Sequence, residues 1–253
     1  MIKPYTVCVL LYGDYPDLAE RVLSSLARPV FYRSFFLRIG WQNLSPASES
    51  VLLKYVDIFM EKNDNPILAG PLEVCMKGQE PYHKYPLMRR LFYTHPIQSP
   101  YVMWFDDDSL IRADAPDEFF MDVGQCMAHC DMCGHIWTMK VRGGQRAYIE
   151  DQPWYNGKAI PKALRFATGG WWTIRTEILQ QHNWPPEDLE HNGGDMMLGE
   201  LCRQQGYRLR NYTQGLGINC DDSLVGSSAE RRGFSQPPIG VRYKRNTFRK
   251  EEK

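Results

Sequence analysis

Apolar and polar positions divide the chain into short continuous runs that alternate with helical repeats. Residues 6–12 (TVCVLLY) run without alternation and stop at Gly13-Asp14, the pattern of a strand buried on both faces of a parallel sheet. Leu18, Val22, Leu23 and Leu26 then recur at helical spacing, with Asp14 or Asp17 near the start and Arg28-Pro29 at the end. Residues 35–41 (FFLRIGW) predict a second strand ending in Gln42-Asn43, residues 47–55 a helix, and residues 56–60 (VDIFM) a third strand followed by Glu61-Lys62-Asn63-Asp64-Asn65. Polar ends aligned along one edge of a parallel sheet make a crevice of nucleotide size. Tyr12, Gly13, Asn43, Asn63 and Asp64 are therefore candidate lining residues, although Asn and Asp also simply suit turns. Residues 66–84 read as a Pro- and Gly-rich loop. Residues 85–94 read as a helix with Lys84, Arg89 and Arg90 at or near its start, where basic side chains can neutralise phosphates.

The next stretch organises the rest. Residues 101–105 (YVMWF) form another unalternating apolar run, and the chain then switches abruptly to Asp106-Asp107-Asp108. Ligands of open α/β sheets sit outside the carboxyl ends of the strands, and three adjacent acids repel one another unless a positive partner joins them. Oxygen-only ligands favour a hard divalent cation such as magnesium or manganese; a solvated acidic turn is the plain alternative. Beyond it the pattern predicts a helix over 117–128, a strand over 131–141, a long loop over 142–162 and a strand over 165–175 (RFATGGWWTIR). In that last segment Gly169-Gly170 permits a close backbone approach, and Trp171-Trp172 offers flat faces for a sugar ring or, equally, for the core. After the polar loop 182–192, Asp195 stands where an N-cap belongs. The helix it opens carries Met196, Met197, Glu200 and Leu201 on one face and ends at Gly206, before a short strand over 207–212.

Composition narrows the class. At 253 residues the chain suits one large α/β domain, and 43% hydrophobic with 24% charged residues is ordinary for a globular protein. No apolar run approaches the roughly 20 residues that span a bilayer, and no basic-then-apolar leader opens the sequence, so a cytoplasmic location is expected. Seven scattered cysteines, an odd number, read as reduced thiols rather than a disulfide framework. Net charge is zero overall, but residues 231–253 carry eight Lys or Arg against two Glu, a local net of +6 that marks a basic tail able to meet an anionic partner.

The β-α unit over 6–26, Phe105-Asp106-Asp107-Asp108, Gly169-Gly170-Trp171, and Gly194-Asp195 opening a helix that runs to Gly206-Tyr207-Arg208-Leu209 together resemble the GT-A fold glycosyltransferases, most like family 2, over residues 5–215. The resemblance implies a single Rossmann-like α/β domain, with a mostly parallel central sheet flanked by helices, over 1–222. A basic C-terminal tail at 223–253 would then be free to fold back on the site. It implies a metal-dependent transfer of a hexose or pentose from a nucleotide-diphosphate sugar to an acceptor hydroxyl, with inversion, or with retention if no base lies within reach of the acceptor. Asp106 and Asp108 would be the DxD metal and nucleotide ligands and Asp107 a close competitor; Arg89, Gly169, Gly170 and Trp171 join the residues expected around the donor. The family's general base falls on Asp195, with Glu190 and His191 as further candidates because the usual Glu-Asp pair is here Gly194-Asp195. The chain has no His beyond His191, so Asn219, Asp221, Asp222 or water would supply any third metal ligand. The acceptor is left open among glycan, lipid carrier, small molecule and modified DNA bases.

Two competing readings bear on this. Cys126-x-x-x-Cys130-x-x-Cys133 has the spacing of the radical S-adenosylmethionine iron-sulfur loop, with His129 and His135 nearby. These thiols, however, straddle a helix end and a strand start, and no second Cys-x-x-Cys pair completes a zinc site, so core thiols are expected. The other reading is a non-catalytic nucleotide- or nucleic-acid-binding protein built around the basic tail.

Overall fold

The computed structural model describes residues 3–28, 35–42, 44–61, 66–69, 84–112, 116–141, 143–189 and 193–217. The 222/223 boundary and the basic tail expected beyond it lie outside these residues. Strands β1 (Tyr5–Tyr12), β2 (Phe35–Gln42), β3 (Ile67–Ala69), β4 (Tyr101–Asp106), β6 (Met132–Lys140), β7 (Ala163–Arg175) and β8 (Leu209–Asn211) form a seven-stranded sheet in the order β3-β2-β1-β4-β7-β6-β8. β1 pairs in parallel with both β2 and β4, and β2 with β3; β7 runs antiparallel between β4 and β6, and β6 is parallel to β8. A small second sheet pairs β5 (Leu110–Ile111) with β9 (Leu216–Gly217), just past the acidic turn.

Unalternating strands require apolar cover on both faces, and each face has its own cluster. On one side α1 (Pro16–Ala27), α2 (Pro46–Glu61) and α4 (Pro116–Ala128) pack on Val7, Val9, Leu37, Ile39, Met103 and Phe105. On the other, α3 (Lys84–Tyr93), α5 (Gly143–Glu150), α6 (Thr176–Gln181) and α7 (Gly194–Gln205) cover Cys8, Leu10, Val102, Trp104, Trp172 and Ile174. Trp104 and Trp172 stack across the β4–β7 pair with ring centroids 6.1 Å apart. No helix among the described residues is long and apolar enough to cross a membrane.

Several sequence expectations are corrected. Residues 56–60 are not a strand but the end of α2: Leu52, Tyr55, Val56 and Phe59 keep the i, i+3, i+4, i+7 face buried, so helical phase outweighs the β-branched look of the run. The third strand is instead β3, inside the stretch read as loop. The loop over 142–162 contains α5, and α6 directly follows β7. Neither Asp14 nor Asp17 caps α1, which begins at Pro16 with no side-chain cap and with Pro at its first position, where a missing N–H is harmless. Cys126, Cys130 and Cys133 are buried where α4 meets β6, with the Cys126 and Cys130 sulfurs 3.9 Å apart.

α7 reaches β7 through Gly199. A Cβ there would sit 2.4 Å from the Arg165 carbonyl oxygen and 2.6 Å from Phe166 Cβ, a clash with backbone that no rotamer relieves. Gly199→Ala is expected to destabilise the protein by about 1–3 kcal/mol in urea unfolding; a change under about 0.5 kcal/mol would show that α7 does not depend on this close approach.

Candidate active site

The carboxyl edge of the parallel strands collects the charged groups. In β4 side chains alternate faces, so Trp104 and Asp106, two residues apart, point the same way. The indole Nε1 of Trp104 donates to Asp106 Oδ1 at 2.8 Å. The other oxygen, Oδ2, accepts from Lys84 Nζ at 2.7 Å, and the same ammonium donates to the Gly169 carbonyl at 3.2 Å. Lys84 stands at the start of α3, so one ion pair joins α3, β4 and β7, with both partners largely shielded from water (side-chain exposure 13% and 20%).

Gly169 reaches this point because β7 is irregular there. Between the pairs Gly134–Trp172 and Ile136–Ala167, β7 places residues 168–171 opposite His135 alone, a bulge that contains Gly169. A Cβ on Gly169 would lie 2.7 Å from both Asp195 Oδ2 and Lys84 Nζ, so any larger residue would force one of these charged ends to move.

Asp195 is not the N-cap. The cap position is Gly193, in the left-handed region at φ 79°, and no side-chain cap bond forms. The Asp195 carboxylate turns back to the edge instead, where its Oδ1 accepts from the Tyr85 hydroxyl at 3.1 Å and the Gly169 amide donates to it. Gly194 makes room for that hydroxyl's ring: a Cβ there would fall 2.2 Å from Tyr85 Cζ. Burial raises the Asp195 carboxyl above the usual carboxylate range; Lys84 pulls it down and Asp106 pushes it up. Burial also pulls Lys84 down, but the nearby Asp106, Asp195 and Asp108 carboxylates outweigh it and leave its ammonium above the ordinary lysine value. Burial and the Asp195 charge raise the Tyr85 phenol well above its normal range, so it acts as a hydrogen-bond donor.

The expected residues therefore divide. Asp106, Gly169 and Asp195 meet around Lys84, with Asp108 close enough to influence its charge. Asp107 and Asp108 are buried in the turn after β4 at 2% and 3% exposure, and Gly170 is buried in β7. Tyr12 ends β1 on the same edge, and Gly13 follows at φ 72° with its amide bonded to the Gln42 carbonyl. Asn43, Asn63, Asp64, Glu190, His191, Asn219, Asp221 and Asp222 lie outside the described residues. Trp171 is corrected: it is fully buried against Phe105, Phe119 and Tyr212 and has no face left for a sugar. Arg89 is corrected too, since its guanidinium binds Asn183, the Pro185 carbonyl and Glu187, on the loop after α6. The sequence reading overlooked Tyr85 and took Trp104 only as an apolar strand residue. Its Trp-x-Asp spacing carried the signal.

Oxygen-only carboxylates suit a hard divalent cation, and the ammonium already seated on Asp106 shows that this edge accepts positive charge. Among the described residues, no three His, Cys, Asp or Glu side chains are already gathered about one point.

No protein-family model matches the sequence and no curated protein matches it. Solved structures do. The mannosyltransferase PcManGT from Pyrobaculum calidifontis, in complex with GDP-Man and Mn2+, is 15% identical with a TM-score of 0.54, over 84% of this chain and 55% of that one. TarS from S. aureus is also 15% identical, with a TM-score of 0.50 over 83% of this chain and 35% of that one. The chain thus spans about half the length of the first and about a third of the second.

Because the Tyr85 hydroxyl donates to the ionised form of Asp195, removing it favours the protonated acid. Tyr85→Phe is expected to raise the Asp195 pKa further, read by carboxyl 13C NMR titration against Asp195→Asn for assignment. An unchanged or lowered value would contradict the geometry. The seven-stranded sheet, its order and these likenesses give the described residues the Rossmann-like α/β architecture of the GT-A fold.

Proposed function

We propose that this protein transfers a sugar from a nucleotide-diphosphate donor to an acceptor hydroxyl, with inversion and with help from a divalent cation. One observation carries the reading. At the carboxyl edge of a GT-A sheet, a shielded ammonium and two carboxylates from different elements converge on a glycine backbone. The ammonium suits a diphosphate, and a partly buried carboxylate with a raised pKa suits proton abstraction near neutral pH.

Asp106 and Asp108 are the residues that would hold the cation, which when bound neutralises the departing diphosphate. Lys84 adds a positive charge for the same diphosphate. The acceptor oxygen attacks the anomeric carbon, its proton passes to the Asp195 carboxylate, and the bond to the diphosphate breaks with its electron pair leaving on the nucleotide. Tyr85 and the Gly169 amide orient Asp195 for that step, so its lone pair faces a defined direction. Glu190 and His191 remain alternative bases, and Asn219, Asp221 or Asp222 further metal ligands. The manganese complex of the Pyrobaculum enzyme supports a metal, and its GDP-Man supports a nucleotide-sugar donor. Whether the sugar is a hexose or a pentose, and whether the acceptor is a glycan, a lipid carrier, a small molecule or modified DNA, depends on residues beyond this cluster.

The test is a donor screen. Incubation with manganese and a panel of nucleotide sugars should release free nucleoside diphosphate from at least one. With that donor, Asp195→Asn should still bind, melt within ~5 °C of the parent because Asn keeps an acceptor for Tyr85, and turn over about 100-fold more slowly or worse. Near-parental turnover in Asp195→Asn would remove Asp195 as the base.

A further inference from the structure

We infer that Lys84 is a resident counter-ion that keeps divalent cations off Asp106 until a diphosphate draws it away, so that metal and nucleotide bind as a coupled pair. The inference rests on the donor-site reading above and concerns a residue to which that reading gave only a neutralising role.

Both carboxylate oxygens of Asp106 are taken: Oδ1 by the Trp104 indole, Oδ2 by the Lys84 ammonium. The indole belongs to a fully buried ring stacked on Trp172 and cannot withdraw. Lys84 can. Its ammonium hangs on a flexible four-carbon stem at the first position of α3, while the next residue, Tyr85, is 2% exposed and anchors the helix. A divalent ion approaching Asp106 thus meets a positive charge 2.7 Å from the oxygen it needs, and must either share that oxygen against Coulomb repulsion or displace the lysine. Displaced from Asp106, the ammonium stays beside the incoming ion, held by the Gly169 carbonyl at 3.2 Å and by the charges of Asp195 and Asp108. A diphosphate supplies further charged acceptors for the ammonium and frees Asp106 for the metal. Coupling of this kind is reciprocal: the nucleotide tightens the metal by the same factor that the metal tightens the nucleotide.

Manganese binding to the full chain, followed by the loss of the free-ion EPR signal, tests this without turnover. The parent should bind manganese weakly alone and at least about tenfold tighter with excess GDP or UDP, the more effective of the two being used. Lys84→Met, close in shape and uncharged, should bind manganese alone about tenfold tighter than the parent and gain less from the nucleotide. Lys84→Arg keeps the charge and should resemble the parent, and Asp106→Asn should lose manganese in both conditions. If Lys84→Met binds manganese alone no better than the parent while the nucleotide effect persists, the counter-ion role is wrong and the donor-site reading stands. An equal gain in Lys84→Arg also overturns it, since packing rather than charge would be the cause. If the parent binds no manganese even with both nucleotides, the metal reading fails and takes this inference with it.

Discussion

The contact on which this site depends is the ion pair between Lys84 and Asp106, closed by the Gly169 carbonyl. It joins a helix start, a parallel strand end and the bulge of an antiparallel strand, three places far apart in sequence. Three acids in a row at a strand end repel one another in any water-poor setting, and a neighbouring cation offsets that. Having set the cation there, the chain must leave space around it, and glycines supply it at two positions. Gly169 admits the lysine and Asp195 together, and Gly194 admits the Tyr85 ring that holds Asp195. The bulge in β7 is the backbone's part of the same constraint.

A consequence is that the two carboxylates are held by different partners. Asp106 is fixed by an indole and an ammonium, both donors to its charged form. Asp195 is held by a phenol and a backbone amide, and burial raises its pKa. Under the proposed function, these different partners suit Asp106 to a ligand role and Asp195 to accepting a proton.

What could be read from the residues was local and periodic. The run 101–108 announced a buried strand and an acidic end because both signals lie within eight residues, and the structure has β4 ending at Asp106. The α3 segment was legible as a helix, yet its phase was not. Lys84 and Arg89 are five positions apart, about 140° around a helix, so one reaches the acids and the other the loop at 183–187. Residues 56–60 misled because a short apolar run looks alike in either periodicity until its neighbours are counted. Trp171 misled for the opposite reason. Adjacent strand residues face opposite sides, and here both sides are core. Asp195 could be placed at a helix start but not aimed, since its partners Tyr85 and Gly169 are distant in sequence.

The central claim is that the edge formed by Lys84, Asp106, Gly169 and Asp195 is where a nucleotide diphosphate and its metal bind. A crystal structure of the protein with manganese and GDP or UDP, recorded with anomalous data at the manganese edge, tests it most directly. The account predicts an anomalous peak against the Asp106 and Asp108 carboxylates, with the diphosphate beside Lys84 and Asp195 facing the open side. A diphosphate bound elsewhere on the sheet, with Lys84 still on Asp106 and no manganese near it, would contradict the account.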